Sequence, residues 1–90
     1  MYMVSAYVYV LKSNKSGRSY VGFTQKEPKQ RLFEHNSGSS DWSRHHKPFV
    51  LIYYEIFECC NCAKQRERFL KSGIGRKLVH LIVNHFIDGD

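Results

Sequence analysis

Two short runs rich in aromatic and β-branched residues, joined by a cluster of turn formers, constrain this chain more than any other feature. Residues 6–12, Ala-Tyr-Val-Tyr-Val-Leu-Lys, read as a strand, and residues 18–24, Arg-Ser-Tyr-Val-Gly-Phe-Thr, as a second. Ser13-Asn14-Lys15-Ser16-Gly17 between them is a turn cluster, so the two runs predict a β-hairpin. Side chains alternate across a strand, which gives Tyr7 and Tyr9 one face and Tyr20 and Gly22 one face of the partner. With the turn centred between Asn14 and Lys15, Tyr9 falls opposite Tyr20 and their rings touch.

The remaining pattern places helices after this hairpin. Pro28 suits the first turn of a helix capped by Glu27 or an earlier residue and running to about Asn36, where Ser37-Gly38-Ser39-Ser40 ends it. Residues 41–48 read as a polar, basic loop. Residues 49–57, Phe-Val-Leu-Ile-Tyr-Tyr-Glu-Ile-Phe, are the most β-like run and are expected to form the central strand. Asn61 is the expected cap of a helix from Cys62 to Lys71, which Ser72 and Gly73 break, and an amphipathic helix follows from Gly75 to Phe86. Asp88-Gly89-Asp90 is expected to fray. The order ββαβαα predicts an α+β fold with a small three-stranded, mostly antiparallel sheet flanked by helices. One domain over residues 1–90, with a core at about 6–86, is expected, since a chain this short buries only roughly 60% of its unfolded surface.

Fourteen lysines and arginines against eight acids give a formal net charge of +6. That balance suggests an anionic partner, most simply nucleic acid, with mere solubility as the bland alternative. No run approaches the roughly 20 apolar residues that span a bilayer, so no membrane association is expected. The start lacks the charged segment and apolar core of a signal peptide. Cys59, Cys60 and Cys62 are too close for a disulfide framework and predict reduced thiols in a cytoplasm. Their spacing fits no usual zinc pattern, so they are expected to be small helix-start residues.

Several side chains carry possible chemistry. Arg31 and His35 lie four apart and share one side of their helix, where the guanidinium fork matches phosphate oxygens. The bland reading is a solvated arginine beside a half-buried histidine. Glu67 falls on the core-facing stripe of its helix with Ala63, Leu70 and Ile74, while Lys64, Arg68 and Lys71 point elsewhere; a buried carboxylate needs a partner. A metal ion, a tyrosine hydroxyl, or a salt bridge with Arg31 or Arg66 would each serve. Tyr9 and Tyr20 are ordinary strand aromatics or reactive phenols with nearby cations. Gly22 permits close approach of a backbone or phosphate. The segment Arg44-His45-His46-Lys47, beside Trp42, offers charge for phosphates and a ring for stacking, or is simply a solvated loop.

At these residues the chain resembles the GIY-YIG endonuclease superfamily, most closely its small, single-domain bacterial members. Tyr7-Val8-Tyr9 is similar to the first motif, with Tyr7 in the glycine place, and Tyr20-Val21-Gly22 to the second. Arg31-Leu-Phe-Glu-His35-Asn36 resembles the following helix, and Ala63-Lys-Gln-Arg-Glu67 the helix carrying the metal-binding glutamate. Lys71-Ser-Gly-Ile-Gly-Arg-Lys77 resembles the segment that ends such members, so the likeness runs from about Ala6 to Val83. The resemblance implies a divalent-metal-dependent DNA endonuclease, structure-specific or repair-related, with Mg²⁺ or Mn²⁺ on Glu67 and Arg31 on the scissile phosphate. It implies Tyr20 as general base, positioned by Tyr9 and His35, with His35 itself as the alternative base. A downstream asparagine used by some members has only Asn84 as a late counterpart, without a clean match. DNA is the implied partner, with RNA as an alternative and with a protein partner to supply target choice. The competing readings are a nucleic-acid-binding module with little activity, and an interaction domain using Leu78, Leu81, Ile82 and Phe86.

Overall fold

The computed structural model describes residues 5–38 and 40–88, with side chains up to His85. The expected fraying at Asp88-Gly89-Asp90 and the Phe86 part of the apolar stripe fall outside the described side chains. The chain folds as β1 (Ala6–Ser13), β2 (Ser19–Thr24), α1 (Pro28–Asn36), α2 (Asp41–His46), β3 (Phe49–Phe57), α3 (Cys60–Lys71) and α4 (Gly73–Asp88). The α+β class holds, with one added element, α2. Residues 41–46 were expected as loop, yet the Ser40 side chain accepts a hydrogen bond from the Ser43 amide. Asp41 in the first turn and Arg44, His45 and His46 in the last complement the helix dipole at both ends.

The sheet order is β2-β1-β3, antiparallel throughout, so β1 is the central strand and not β3. Apolar richness marks β3 as a strand but does not say which strand has two neighbours. In β1, Ala6, Val8, Val10 and Leu11 are all essentially inaccessible, whereas Val50, Tyr54 and Ile56 of β3 stay exposed. The two faces of β1 feed separate cores. Ala6, Val8 and Val10 pack against Ala63, Leu70, Val79 and Val83 of α3 and α4. Tyr9 and Leu11 pack with Phe49, Leu32 and Tyr20 on the α1 side.

The hairpin register differs from the expected one. Tyr9 pairs with Gly22, and Tyr20 pairs with Leu11. The loop is Asn14–Gly17, closed by Ser13 N–H to Arg18 O at 2.9 Å and Gly17 N–H to Ser13 O at 2.8 Å. Gly17 adopts a φ of +77°, a left-handed value that most residues resist. The Ser13 hydroxyl also accepts from the amides of Lys15 and Ser16, which fixes the centre of the turn one residue later than expected. Tyr9 and Tyr20 therefore share a face as diagonal neighbours.

A bulge between Val10 and Leu11 in the β1–β3 pairing has a further consequence. It shifts the alternation of β3 so that Leu51 and Phe49 turn to the Tyr9 side. Asn36, at the end of α1, clamps this strand start: its side-chain oxygen accepts from Phe49 N–H at 2.6 Å and its amide donates to Phe49 O at 3.1 Å. The first helix is thus tied to the residue that floors the site.

α3 begins at Cys60 with Cys59 as its cap, not Asn61, because the Cys59 sulfur accepts from the Cys62 amide. The three cysteines are free thiols at this helix start. On α4, Leu78 packs against the core and Ile82 is half-buried, while Leu81 faces out, so the expected stripe is divided between core and surface. No described helix is long and apolar enough to cross a membrane.

Candidate active site

Phe49, only 2% exposed, is the floor on which the site is built. Trp42 stacks on it with centroids 5.2 Å apart and planes at 21°, and Tyr20 and His35 meet it at 6.0 and 5.7 Å. Tyr20 also meets Trp42 edge-on at 4.9 Å and His35 meets Trp42 at 5.4 Å. Residues from β2, α1, α2 and β3 therefore converge on one aromatic cluster. Packing of this kind holds polar tips in fixed positions.

Tyr9 lies beside it, and Gly22 explains its pose. A Cβ on Gly22 would sit 2.4 Å from the Tyr9 ring and hydroxyl, so the close approach anticipated at this glycine is made by Tyr9 itself. The Tyr9 hydroxyl reaches His35 Nε2 at 3.2 Å, and Arg31 Nη2 lies 3.5 Å from the same nitrogen. A guanidinium only donates. Nε2 is accordingly the acceptor, and Nδ1–H donates to the Ser43 hydroxyl at 3.2 Å. Ser43, which is buried, in turn accepts from the Ser40 hydroxyl at 3.0 Å.

Burial, and secondarily the charge of Arg31, hold the His35 imidazole below its ordinary value of 6.5. His35 is thus neutral near pH 7. The unfolded chain binds a proton more readily than the native one as pH falls from the unfolded value toward the lower native value, so acid should weaken the fold across that window. Urea unfolding between pH 7.5 and 5, values chosen about the imidazole range, should show wild type losing more stability than His35→Gln; equal losses would contradict this.

Arg31 is half-buried and paired with Glu34 at 2.6 Å, and Lys26 reaches the other oxygen of Glu34 at 2.8 Å. The Tyr20 hydroxyl lies 3.3 Å from His46 Nδ1. His46 therefore turns inward, away from the residues with which it was grouped. Arg44 instead bonds the Asp41 carboxylate and the Gly38 carbonyl, and His45 donates to the Asp41 carbonyl, while Lys47 is exposed. The supposed contact loop is thus divided into a site residue and an outer helical surface.

A cleft of about 340 Å³ opens beside the aromatic cluster. Tyr9, Tyr20, Gly22, His35 and Trp42 line it together with Leu70, Lys71, Arg76, Val79 and His80, from the end of α3 and the start of α4. Glu67 occupies an adjoining hollow with Phe23, Lys64, Arg68 and Lys71. Lys71 lines both. The Glu67 partner is neither Arg31 nor Arg66, for Arg66 is bound to Glu55 at 2.9 and 3.0 Å. Lys71, one helical turn on, reaches back to Glu67 Oε2 at 3.0 Å. Lys71 was expected to point elsewhere, but its long side chain spans the difference. Asn84 is exposed and does not line the cleft.

The donor set bears on a metal ion. Among the described residues no group of three or more His, Cys, Asp and Glu side chains converges into a cage. Mg²⁺ keeps several waters and takes one or two carboxylates together with substrate phosphate. A single carboxylate, 23% exposed and joined through Lys71 to a cleft that Arg76 also lines, fits such an ion. Reading the sequence missed Ser43, the inward role of His46, and Arg76 and His80. Ser40 followed by Asp41 was the available signal for α2, and with it for Ser43.

A model of the GIY-YIG catalytic domain matches residues 5–78. A UPF0213 protein of Staphylococcus saprophyticus is 31% identical over 77 residues, covering 84% of this chain and 92% of its own length. One from Clostridium perfringens is 35% identical over 77 residues, covering 84% and 81%. Another, from Streptococcus pyogenes serotype M5, is 37% identical over 68 residues, covering 73% and 71%. No solved structure matches the chain.

Proposed function

Since this chain belongs to the GIY-YIG family, a family of nucleases, we propose that it is a divalent-metal-dependent endonuclease that hydrolyses phosphodiester bonds in DNA, with branched or damaged DNA as its favoured substrate. The observation that carries this reading is the convergence on one cleft of Tyr9, Tyr20 and His35, with Arg31 bonded to His35 and Glu67 one lysine away.

Each group has a role that its surroundings support. Arg31 exchanges Glu34 for the scissile phosphate, where its fork of donors stabilises the charge that builds up during attack. Tyr20 gives its proton to His46 Nδ1 as it takes one from the attacking water, so the water proton passes in effect to His46. The new hydroxide attacks phosphorus, and the ester oxygen on the far side leaves. Tyr9 and Ser43 hold His35, and with it Arg31, in place. Glu67 would hold the Mg²⁺ or Mn²⁺, which when bound stabilises charge on the phosphate and the leaving oxygen.

Cleavage by the Tyr20→Phe variant, measured on a labelled branched oligonucleotide under single-turnover conditions, should fall by about 10²- to 10⁴-fold. His46→Ala should fall less, because solvent can then take the phenol proton. Loss in His35→Ala with near-normal Tyr20→Phe and His46→Ala would instead make His35 the base. Tight binding by wild type with no cleavage in either metal would replace the enzyme with a binding module.

A further inference from the structure

We propose that Arg76 and His80 on α4, together with Lys71, form a second phosphate-binding wall of the cleft and grip the nucleic-acid backbone next to the scissile phosphate. This rests on the nuclease reading above, and it moves the main electrostatic grip from α2 to the α3–α4 corner.

Arg76 and His80 are one turn apart and share a side of α4, with the buried Val79 anchoring the helix beside them. Both line the same cleft as Tyr20, His35 and Trp42, and so does Lys71. An extended strand laid in the cleft would meet both aromatics and cations. Such a groove suits a backbone and its bases.

The cations differ in availability: Lys71 is paired with Glu67 at 3.0 Å, so Arg76 and His80 carry the wall and Lys71 borders it. Among the described residues no ion pair involves Arg76 or His80; the Arg76 guanidinium donates only to the Lys71 carbonyl, at 3.4 Å. On α2, Arg44 is held by Asp41 and Gly38, His45 by the Asp41 carbonyl, and His46 by Tyr20. None of Arg44, His45 and Lys47 lines the cleft. Ser72 fixes where the cations project: its carbonyl accepts from Arg76 N–H at 2.8 Å and its hydroxyl from Gly75 N–H at 3.3 Å. The wall is therefore set on a capped helix start and not on a loop.

Binding of labelled single-stranded and duplex oligonucleotides, followed by anisotropy in EDTA across a range of NaCl concentrations, separates this from catalysis. Arg76→Ala/His80→Ala should weaken binding by at least about tenfold and lower the salt slope by about 1. Arg76→Lys should keep the slope. A charge-removing control outside the cleft, Lys15→Ala/Lys29→Ala, should cost less than about threefold. Wild-type affinity and slope in the Arg76/His80 variant, or an equal loss in the control, would overturn the proposal. So would a larger loss in Arg44→Ala/Lys47→Ala, which would return the grip to α2. Absence of salt-dependent binding by wild type would instead sink the nuclease reading itself.

Discussion

Arg31→Ala should lower single-turnover cleavage by about 10²- to 10³-fold, the range for removing one preorganised donor from a developing charge, while the protein stays folded. The guanidinium sits on α1 within reach of His35 Nε2, the same nitrogen that the Tyr9 hydroxyl meets. Its structural contribution is small by comparison. The bond to Glu34 is a partly exposed pair between residues three apart, which water screens, and Lys26 still holds Glu34 when Arg31 is gone. Arg31→Lys should recover little activity, because an ammonium cannot reproduce a bidentate grip on phosphate. Thermal melting run beside the kinetics checks the account. A variant that loses activity only in proportion to lost folded protein would remove Arg31 from the mechanism.

Gly75→Ala is expected to have the largest effect on stability. A Cβ there would lie 1.9 Å from the Phe69 carbonyl oxygen and 2.6 Å from Leu70 Cα, both backbone atoms at the end of α3. Backbone cannot swing aside as a side chain does, so α4 must shift away from α3. The cost should reach about 3 kcal/mol, the upper part of the overpacking range. For a domain of this size that corresponds to a fall in melting temperature of roughly 12–24 °C, from about 4–8 °C per kcal/mol. Gly73 has nothing within 4 Å of its ideal Cβ, so Gly73→Ala should be neutral or gain up to about 1 kcal/mol. The contrast between two glycines two residues apart isolates the clash from any general glycine effect. Equal melting temperatures for the two variants would show that the α3–α4 corner is looser than its contacts imply.

The parts of this molecule legible in its sequence are those that alternation and breakers encode. The hairpin, the α1 boundaries and both ends of β3 follow from strand-forming runs bounded by turn residues. What escaped depended on single side chains acting at a distance. The register was set by the Ser13 hydroxyl and Gly17, which alternation alone does not weigh. The six residues of α2 are too few for a periodic signal, and only the Ser40 cap marks them. The bulge that turns Phe49 toward Tyr20 has no local signature at all.

The same distinction runs through the site. Tyr9, Tyr20 and His35 were named in sequence and come together in space, but the contacts that place them were not foreseen. Tyr20 meets His46 rather than Tyr9, and His35 rests on Ser43. Lys71 came to Glu67 because a helix brings residues four apart together, a pairing that a wheel of Cα directions underweights for a long side chain.

The most direct test of the central claim is cleavage of supercoiled plasmid and branched DNA with and without Mg²⁺ or Mn²⁺, comparing wild type, Arg31→Ala and Glu67→Gln. Metal-dependent nicking by wild type that disappears in both variants, with all three proteins folded and binding DNA, is the expected result. Wild type and variants that bind DNA alike and leave it intact in either metal would contradict it.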